Sequence, residues 1–385
     1  MTQVIFTERW DYMKVVAAID SFKGSMTSME AGNAVKKGIL AAKPDAEVWL
    51  SPLADGGEGT VDALIEGLGA EKIPVTVAGP LGEKVSCYYG FLEETKTAVM
   101  EMASAAGITL VIKKDPLRAS TYGVGEMIAD ALKRGCKNFM IGIGGSATND
   151  GGIGMLKALG FEFFDEDGND VGEGAAALAK IEVIQTENKN PLLSGAKFQI
   201  ACDVKNPLCG KQGATYIFGS QKGVTEEQKS KVDEAMKHYA DVTKESLGCD
   251  FADCEGAGAA GGLGYAFLSY LAGELIPGVE LILHATGLEE KMKNADVVVT
   301  GEGRLDAQTV MGKAPVGVAA LAKKYNAKVI AFAGSVAPEA SVCNQAGIDA
   351  FFPIVRGVTT LEEAMKKENA MENIAATAEQ VFRLL

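Results

Sequence analysis

Six short glycine-bearing stretches interrupt this chain of 385 residues, and each borders an apolar run. Glycine accepts backbone conformations closed to other residues and lets main chain pass close to another group. Five of the six also carry Asp, Glu, Ser, Thr, Asn or Lys. Backbone folded tightly around something small and polar is the shape this pattern calls for. The chain holds 46 glycines, an excess over the usual share of about 7%, and they show no G-x-x period, so the excess is not collagen-like.

The segments between these stretches alternate. Val15–Ile19 reads as a strand, Ser28–Ala42 as a helix, Glu47–Leu50 as a strand and Thr60–Leu68 as a helix. Repeated strand, polar loop and helix predict a parallel sheet with ligand chemistry at the carboxyl ends of its strands. The middle differs in texture. Lys72–Ala78 and Lys84–Leu92 read as a hairpin around Gly79–Gly82, and Phe139–Ile143, Phe161–Asp165 and Gln199–Cys202 as strands. Helices are expected over Tyr122–Arg134 and over the very polar Thr225–Leu247, which places His238 on the surface. Alternation returns with Ala295–Val299, Pro315–Lys324, Lys328–Ala333, Ala350–Pro353 and a closing helix Glu362–Leu384. The fold class is therefore α/β: a Rossmann-like parallel-sheet domain built from both chain ends (13–75 and 290–385), with an inserted second mixed α/β domain (76–289). A sequential split near residue 200 is the competing arrangement. Residues 1–12 read as an N-terminal extension. They lack the basic start and apolar core of a signal peptide.

Charge and composition narrow the function. Lys plus Arg number 37 against 51 Asp plus Glu, a formal charge of −14, so the broad basic footprint of a nucleic-acid partner is missing. Only His238 and His284 are present, and neither lies in a zinc-type H-E-x-x-H. Seven cysteines without paired C-x-x-C spacing fit reduced thiols in a cytoplasmic protein. The uncharged stretch between Glu255 and Glu274 is too rich in glycine for a membrane span and reads as a loop feeding a buried helix.

The six loops carry the chemistry. Asp20-Ser21-Phe-Lys23-Gly-Ser25 comes straight off the first strand, its lysine able to reach a phosphate or carboxylate. Asp55-Gly-Gly-Glu58-Gly sets two carboxylates at a helix start, where unpaired amides and the helix dipole favour them; a capping arrangement is the plainer account. Gly144–Gly152, with Gly145, Ser146, Thr148, Asn149 and Asp150, offers amides and hydroxyls as an anion cradle, or holds its own turn. Asp203 ends a strand. Gly256–Gly264 either meets a nucleotide or permits close helix packing. Thr300-Gly301-Glu302-Gly303-Arg304-Leu-Asp306, reaching on to Lys313, combines a metal-capable carboxylate pair with cations.

No P-loop, dinucleotide fingerprint or serine-hydrolase elbow fits these loops. Phosphoryl transfer does fit. It needs amides and Lys or Arg around phosphate oxygens, carboxylates for magnesium and one carboxylate near the attacking hydroxyl. A nucleotide or sugar-acid enzyme of another kind and a non-catalytic binding protein remain as alternatives.

Taken together, Asp20–Ser25, Pro52–Thr60, Gly144–Gly152, Cys202–Gly210, Gly258–Gly264 and Thr300–Thr309 resemble, in order, the motifs of the bacterial glycerate kinase family, of the type similar to glycerate 2-kinase. The resemblance runs from about Met13 to Leu385. Ile19 stands where the family pattern usually has proline before Asp-Ser-Phe-Lys-Gly. The resemblance implies ATP-dependent, magnesium-assisted phosphorylation of D-glycerate to 2-phosphoglycerate, by a cytoplasmic enzyme of two α/β domains with its ligands in a cleft. Attack through the 3-hydroxyl and a non-catalytic sugar-acid binding protein are the alternatives. On this reading Asp55 or Asp203 takes the hydroxyl proton, and Lys23 or Arg304 opposes the glycerate carboxylate. Asp20, Ser21 and Glu58 line the substrate. Glu302 and Asp306 hold Mg-ATP, and Gly145, Ser146, Thr148, Gly301, Gly303 and Lys313 meet the phosphates.

Overall fold

The computed structural model describes residues 12–53, 60–311 and 313–385. Among them the strands are, in chain order, β1 (Lys14–Ala17), β2 (Glu47–Leu50), β3 (Glu71–Ala78), β4 (Lys84–Leu92), β5 (Thr97–Glu101), β6 (Asn138–Gly142), β7 (Glu162–Phe164), β8 (Val183–Gln185), β9 (Lys197–Ala201), β10 (Glu274–Ile276), β11 (Val297–Leu305), β12 (Lys328–Val336) and β13 (Ala350–Pro353). The chain divides into two compact units with boundaries at 54/55 and 282/283.

The unit made from the two chain ends holds one wholly parallel sheet in the order β13-β12-β11-β1-β2. Its alternation is clean. Val15, Ala17, Ile19, Val297, Val299, Ile330 and Phe332 all enter one buried cluster with the helices Ser28–Ala42 and Lys367–Phe382. Residues between them, such as Val16, Ala18 and Val298, are buried on the other face. Full burial on both faces explains why β1 reads as a continuous apolar run. The helix Ser28–Ala42 begins where Thr27 and Glu30 form a capping box, each side chain accepting from the other's amide.

Counted within this unit the strand order is 2-1-3-4-5, and the order reverses between β1 and β11. In open α/β sheets the crevice at such a reversal, beyond the carboxyl ends, is where ligands bind. The loop after β1 and the end of β11 therefore share the favoured position.

Two details depart from the sequence reading. The strand expected over Ala295–Val299 continues as β11 through Leu305, so Thr300, Gly301, Glu302, Gly303 and Arg304 are strand residues paired with β12. A Cβ on Gly301 would stand 2.2 Å from the Phe332 carbonyl oxygen, so glycine here serves close strand approach. The closing helix is two helices, Leu361–Met365 and Lys367–Phe382, separated by Lys366 in an extended conformation (ψ 129°).

The other unit contains a mixed sheet, β10-β9-β6-β5-β4-β3, in which β3, β4 and β5 are antiparallel neighbours and β5, β6, β9 and β10 run parallel. β7 and β8 form a separate antiparallel pair. The hairpin over β3 and β4 is formed as expected, and β5 is an unforeseen strand. Because β3 pairs with β4, and the helix Thr60–Leu68 packs on β4 and β5, residues 60–75 go with this unit instead of the terminal one. His238 lies at the surface with its side chain 36% exposed, less open than expected because Nε2 is engaged 2.8 Å from the Ile181 carbonyl oxygen. All seven cysteines are free.

Candidate active site

In the terminal unit the chain leaves β1 still extended. The Asp20 amide donates to the Gly301 carbonyl at 3.0 Å and so carries the β1–β11 ladder past its formal end. Asp20 is buried, its Oδ1 accepting the Ser21 amide at 2.6 Å, whereas Lys23 is exposed. A Cβ on Gly303 would lie 3.8 Å from the Lys23 amide nitrogen. The first and sixth loops thus meet at the strand-order reversal.

The β11 end is organised around Glu302. Although it is a carboxylate, it is only 7% exposed. Its Oε1 accepts from the Thr309 hydroxyl at 2.6 Å and its Oε2 from Lys313 Nζ at 3.1 Å. Burial pushes its carboxyl above the usual range, while Thr309 and the Lys313 ammonium pull it back. The Thr309 hydroxyl also accepts the Asp306 amide at 3.2 Å, which ties the two carboxylate positions together. Asp306 receives the Gln308 amide on Oδ1, and the exposed Arg304 stands 3.4 Å from its Oδ2. Carboxylate oxygen is the donor type a hard cation such as magnesium takes. Both carboxylates have partners, and Asp306, with the more exposed side chain (17% against 9% for Glu302), is the more accessible donor. Among the described residues no cluster of three His, Cys, Asp or Glu forms a resident metal centre.

In the other unit, Gly144 and Gly145 are exposed where the chain leaves β6, and Gly145 is left-handed (φ +73°). The backbone then turns inward. Gly145 and Ala147 exchange hydrogen bonds with Ile108 and Ala106, and Ser146 bridges Gly107. Ser146 is 8% exposed and Thr148 not at all, so Thr148 has no surface to offer a phosphate. Asn149 and Asp150 are equally buried. Asp150 accepts from the Thr121 amide and hydroxyl, both at 2.8 Å, and from the Gly152 and Gly154 amides. That network fixes the turn and accounts for an acid that burial would otherwise push strongly toward its neutral form. The Gly256–Gly264 stretch packs on the same turn. Gly151 donates to the Gly261 carbonyl at 2.9 Å, and a Cβ on Gly261 would come within 2.2 Å of the Thr148 carbonyl oxygen. Close packing explains these glycines without a nucleotide.

Asp203 is exposed beyond β9, with Oδ1 accepting the Gly278 amide at 2.8 Å in the first turn of the helix Gly278–Ala285. Asp55 and Glu58 lie outside the described residues. One residue the sequence reading passed over is Lys222, which ends the helix Ala214–Lys222 and is 2% exposed. Followed by Gly223, it reads as an ordinary helix-end lysine, and no pattern in the chain marks it as buried.

A family model described as the glycerate kinase family matches residues 15–385. The glycerate kinase of Bacillus subtilis (strain 168) is 45% identical over 371 residues, 96% of this chain and 97% of that protein. The glycerate 2-kinase of Escherichia coli (strain K12) is 45% identical over 372 residues, 95% of this chain and 98% of that protein. The crystal structure of a protein assigned as glycerate kinase 2 from Salmonella typhimurium LT2 superposes with a TM-score of 0.89 at 42% identity, covering 97% of this chain and 98% of that one.

Proposed function

The chain belongs to the glycerate kinase family, and from that premise we propose that it transfers the γ-phosphoryl group of ATP to the 2-hydroxyl of D-glycerate in the cytoplasm. The observation that carries the site is the meeting of the Asp20–Lys23 loop with the end of β11, at the reversal of strand order. The choice of the 2-hydroxyl rests on likeness to the E. coli relative named glycerate 2-kinase.

The roles follow from exposure and partners. Lys23 and Arg304, both exposed, oppose the glycerate carboxylate, and Asp20 and Ser21 line the substrate. Lys313, held against Glu302, turns its remaining N–H donors to phosphate oxygens. Gly145 and Ser146 carry amides of the kind that meets a phosphate. Asp306 holds the metal. Magnesium, when bound with ATP, screens the phosphate charge and orients the transferred group. Asp203 or Asp55 accepts the hydroxyl proton; Asp203 does so with one oxygen already engaged by Gly278.

The test is a coupled assay with ATP, magnesium and D-glycerate, with the product resolved into 2- and 3-phosphoglycerate. Stoichiometric 2-phosphoglycerate is expected. 3-Phosphoglycerate would overturn the regiochemistry, and glycerate binding without ATP consumption would return the protein to the binding class.

A further inference from the structure

The Gly144–Asp150 loop is anchored from beneath by an amine from outside the loop, that of Lys222. Lys222 Nζ donates to the Thr148 carbonyl oxygen at 2.6 Å in surroundings closed to solvent. That same oxygen faces Gly261, where a Cβ would approach to 2.2 Å, so it is confined between an ammonium and a bare Cα. The helix that ends in Lys222 grips the loop a second time near its start, where the Thr215 hydroxyl accepts from Asn149 Nδ2 at 3.1 Å. Thr148 Oγ1 and Asn149 Oδ1, in the same buried turn, have no partner among the described residues. The Asp150 network fixes the far end of the turn, while the lysine contact restrains the Thr148 backbone directly.

A buried lysine is an expensive way to hold one carbonyl. Burial works against the ammonium, and the nearby Asp150 carboxylate favours it. A neutral apolar side chain could pack the same space but could not donate to the Thr148 carbonyl, so the amine serves the loop's geometry. Three and four residues upstream of Thr148, Gly145 and Gly144 are the exposed part of the loop, the part whose amides can meet an anion.

We propose that Lys222 is a positioning residue for nucleotide binding: by fixing the Thr148 carbonyl it sets the orientation of the Gly144–Ser146 amides toward a phosphate group. This rests on the reading of that loop as part of the nucleotide site.

The experiment compares Lys222→Met, which keeps length and removes the donor, with Gly145→Asp, which puts a negative charge on the exposed rim in a residue that tolerates the left-handed region. Calorimetry with ATP and magnesium gives the affinity, and steady-state kinetics give KM for each substrate. Lys222→Met is expected to weaken ATP binding and raise its KM about tenfold, leaving the KM for glycerate within twofold. If Lys222→Met does not fold, the double variant Lys222→Met/Asp150→Asn, which leaves no unpaired buried carboxylate, carries the same readout. Unchanged ATP affinity in a folded Lys222 variant, with affinity lost in Gly145→Asp, overturns the proposal and spares the nucleotide reading. A loss of active fraction with both KM values intact assigns Lys222 to folding alone and also overturns it. No effect of Gly145→Asp on ATP removes the loop from the nucleotide site, and the proposal falls with it.

Discussion

Lys313 lies eleven positions beyond Glu302, yet its Nζ sits 3.1 Å from the Glu302 carboxylate, closing the end of β11 back on itself. The pair matters for how the lysine can act. An ammonium already paired with a buried carboxylate is held in place, so a phosphate meets an oriented cation instead of recruiting a flexible one.

Lys313→Met should therefore cut kcat/KM by about 10²–10³-fold, the scale for losing one preorganised charge-stabilising donor. Glu302→Gln, which keeps an acceptor for Thr309 but releases the lysine, should fall less. Kinetics on both variants, with melting temperatures as a control for folding, check the order. A Glu302→Gln loss larger than that of Lys313→Met would make Glu302 itself the contact to ligand.

Gly261→Ala should destabilise the protein by about 2 kcal/mol or more, because the new methyl meets the Thr148 carbonyl at 2.2 Å and the residue is left-handed (φ +71°). Urea denaturation measures it. A neutral result would mean that the two glycine stretches can separate at little cost.

Stability should depend on pH through Lys222. Its amine is lowered by burial to about 7 in the folded protein, against about 10.4 for an ordinary lysine, so it gives up its proton at lower pH folded than unfolded. Between those values the unfolded chain binds more protons, so unfolding free energy rises with pH across that window, by at most about 1.4 kcal/mol per unit. Below about pH 7 the full cost of the buried ammonium is present. Asp150, the acid facing it, is pushed upward by burial and acts at the acid end. Tyr239, from the helix Glu226–Leu247, is held far above its ordinary value by burial and stays neutral. The difference in stability between wild type and Lys222→Met, followed by urea titration from pH 7 to 10, should grow with pH. A constant difference would rule out this titration.

A chelator should abolish turnover without lowering the melting temperature. The described residues form no three-ligand cluster, so the metal is expected to arrive with the nucleotide. Added magnesium should restore the rate in full. A fall in melting temperature on chelation would reveal a structural ion.

Much of this was legible in advance. Thr27 three residues before Glu30 marks a helix start by a local rule, and the helix Ser28–Ala42 begins there. The parallel run of β1 could be read because both of its faces are buried. The first and sixth loops could be paired only as candidates; their meeting depends on β1 lying beside β11, a non-local fact. By sequence pattern β11 ends early because Gly301 and Gly303 imitate a loop, when Gly301 is there to let Phe332 come close. Thr148 reads as a ligand because its neighbours are polar; its burial is a feature that sequence does not display. Lys222 gave no sign at all, since a lysine before a glycine is ordinary at a helix end.

The pairing of β1 with β11 also imposes a schedule. Lys14 hydrogen-bonds Asp296, 282 positions later, and at about 5–20 residues per second the ribosome needs roughly 15–60 s to make that interval. Throughout it β1 has β2 on one side and nothing yet made to pair with on the other, a bare edge of the kind that seeks strangers. The inserted unit can finish folding while the terminal one waits for its own centre, so a pause or truncation before residue 297 leaves a half-sheet for a chaperone to guard.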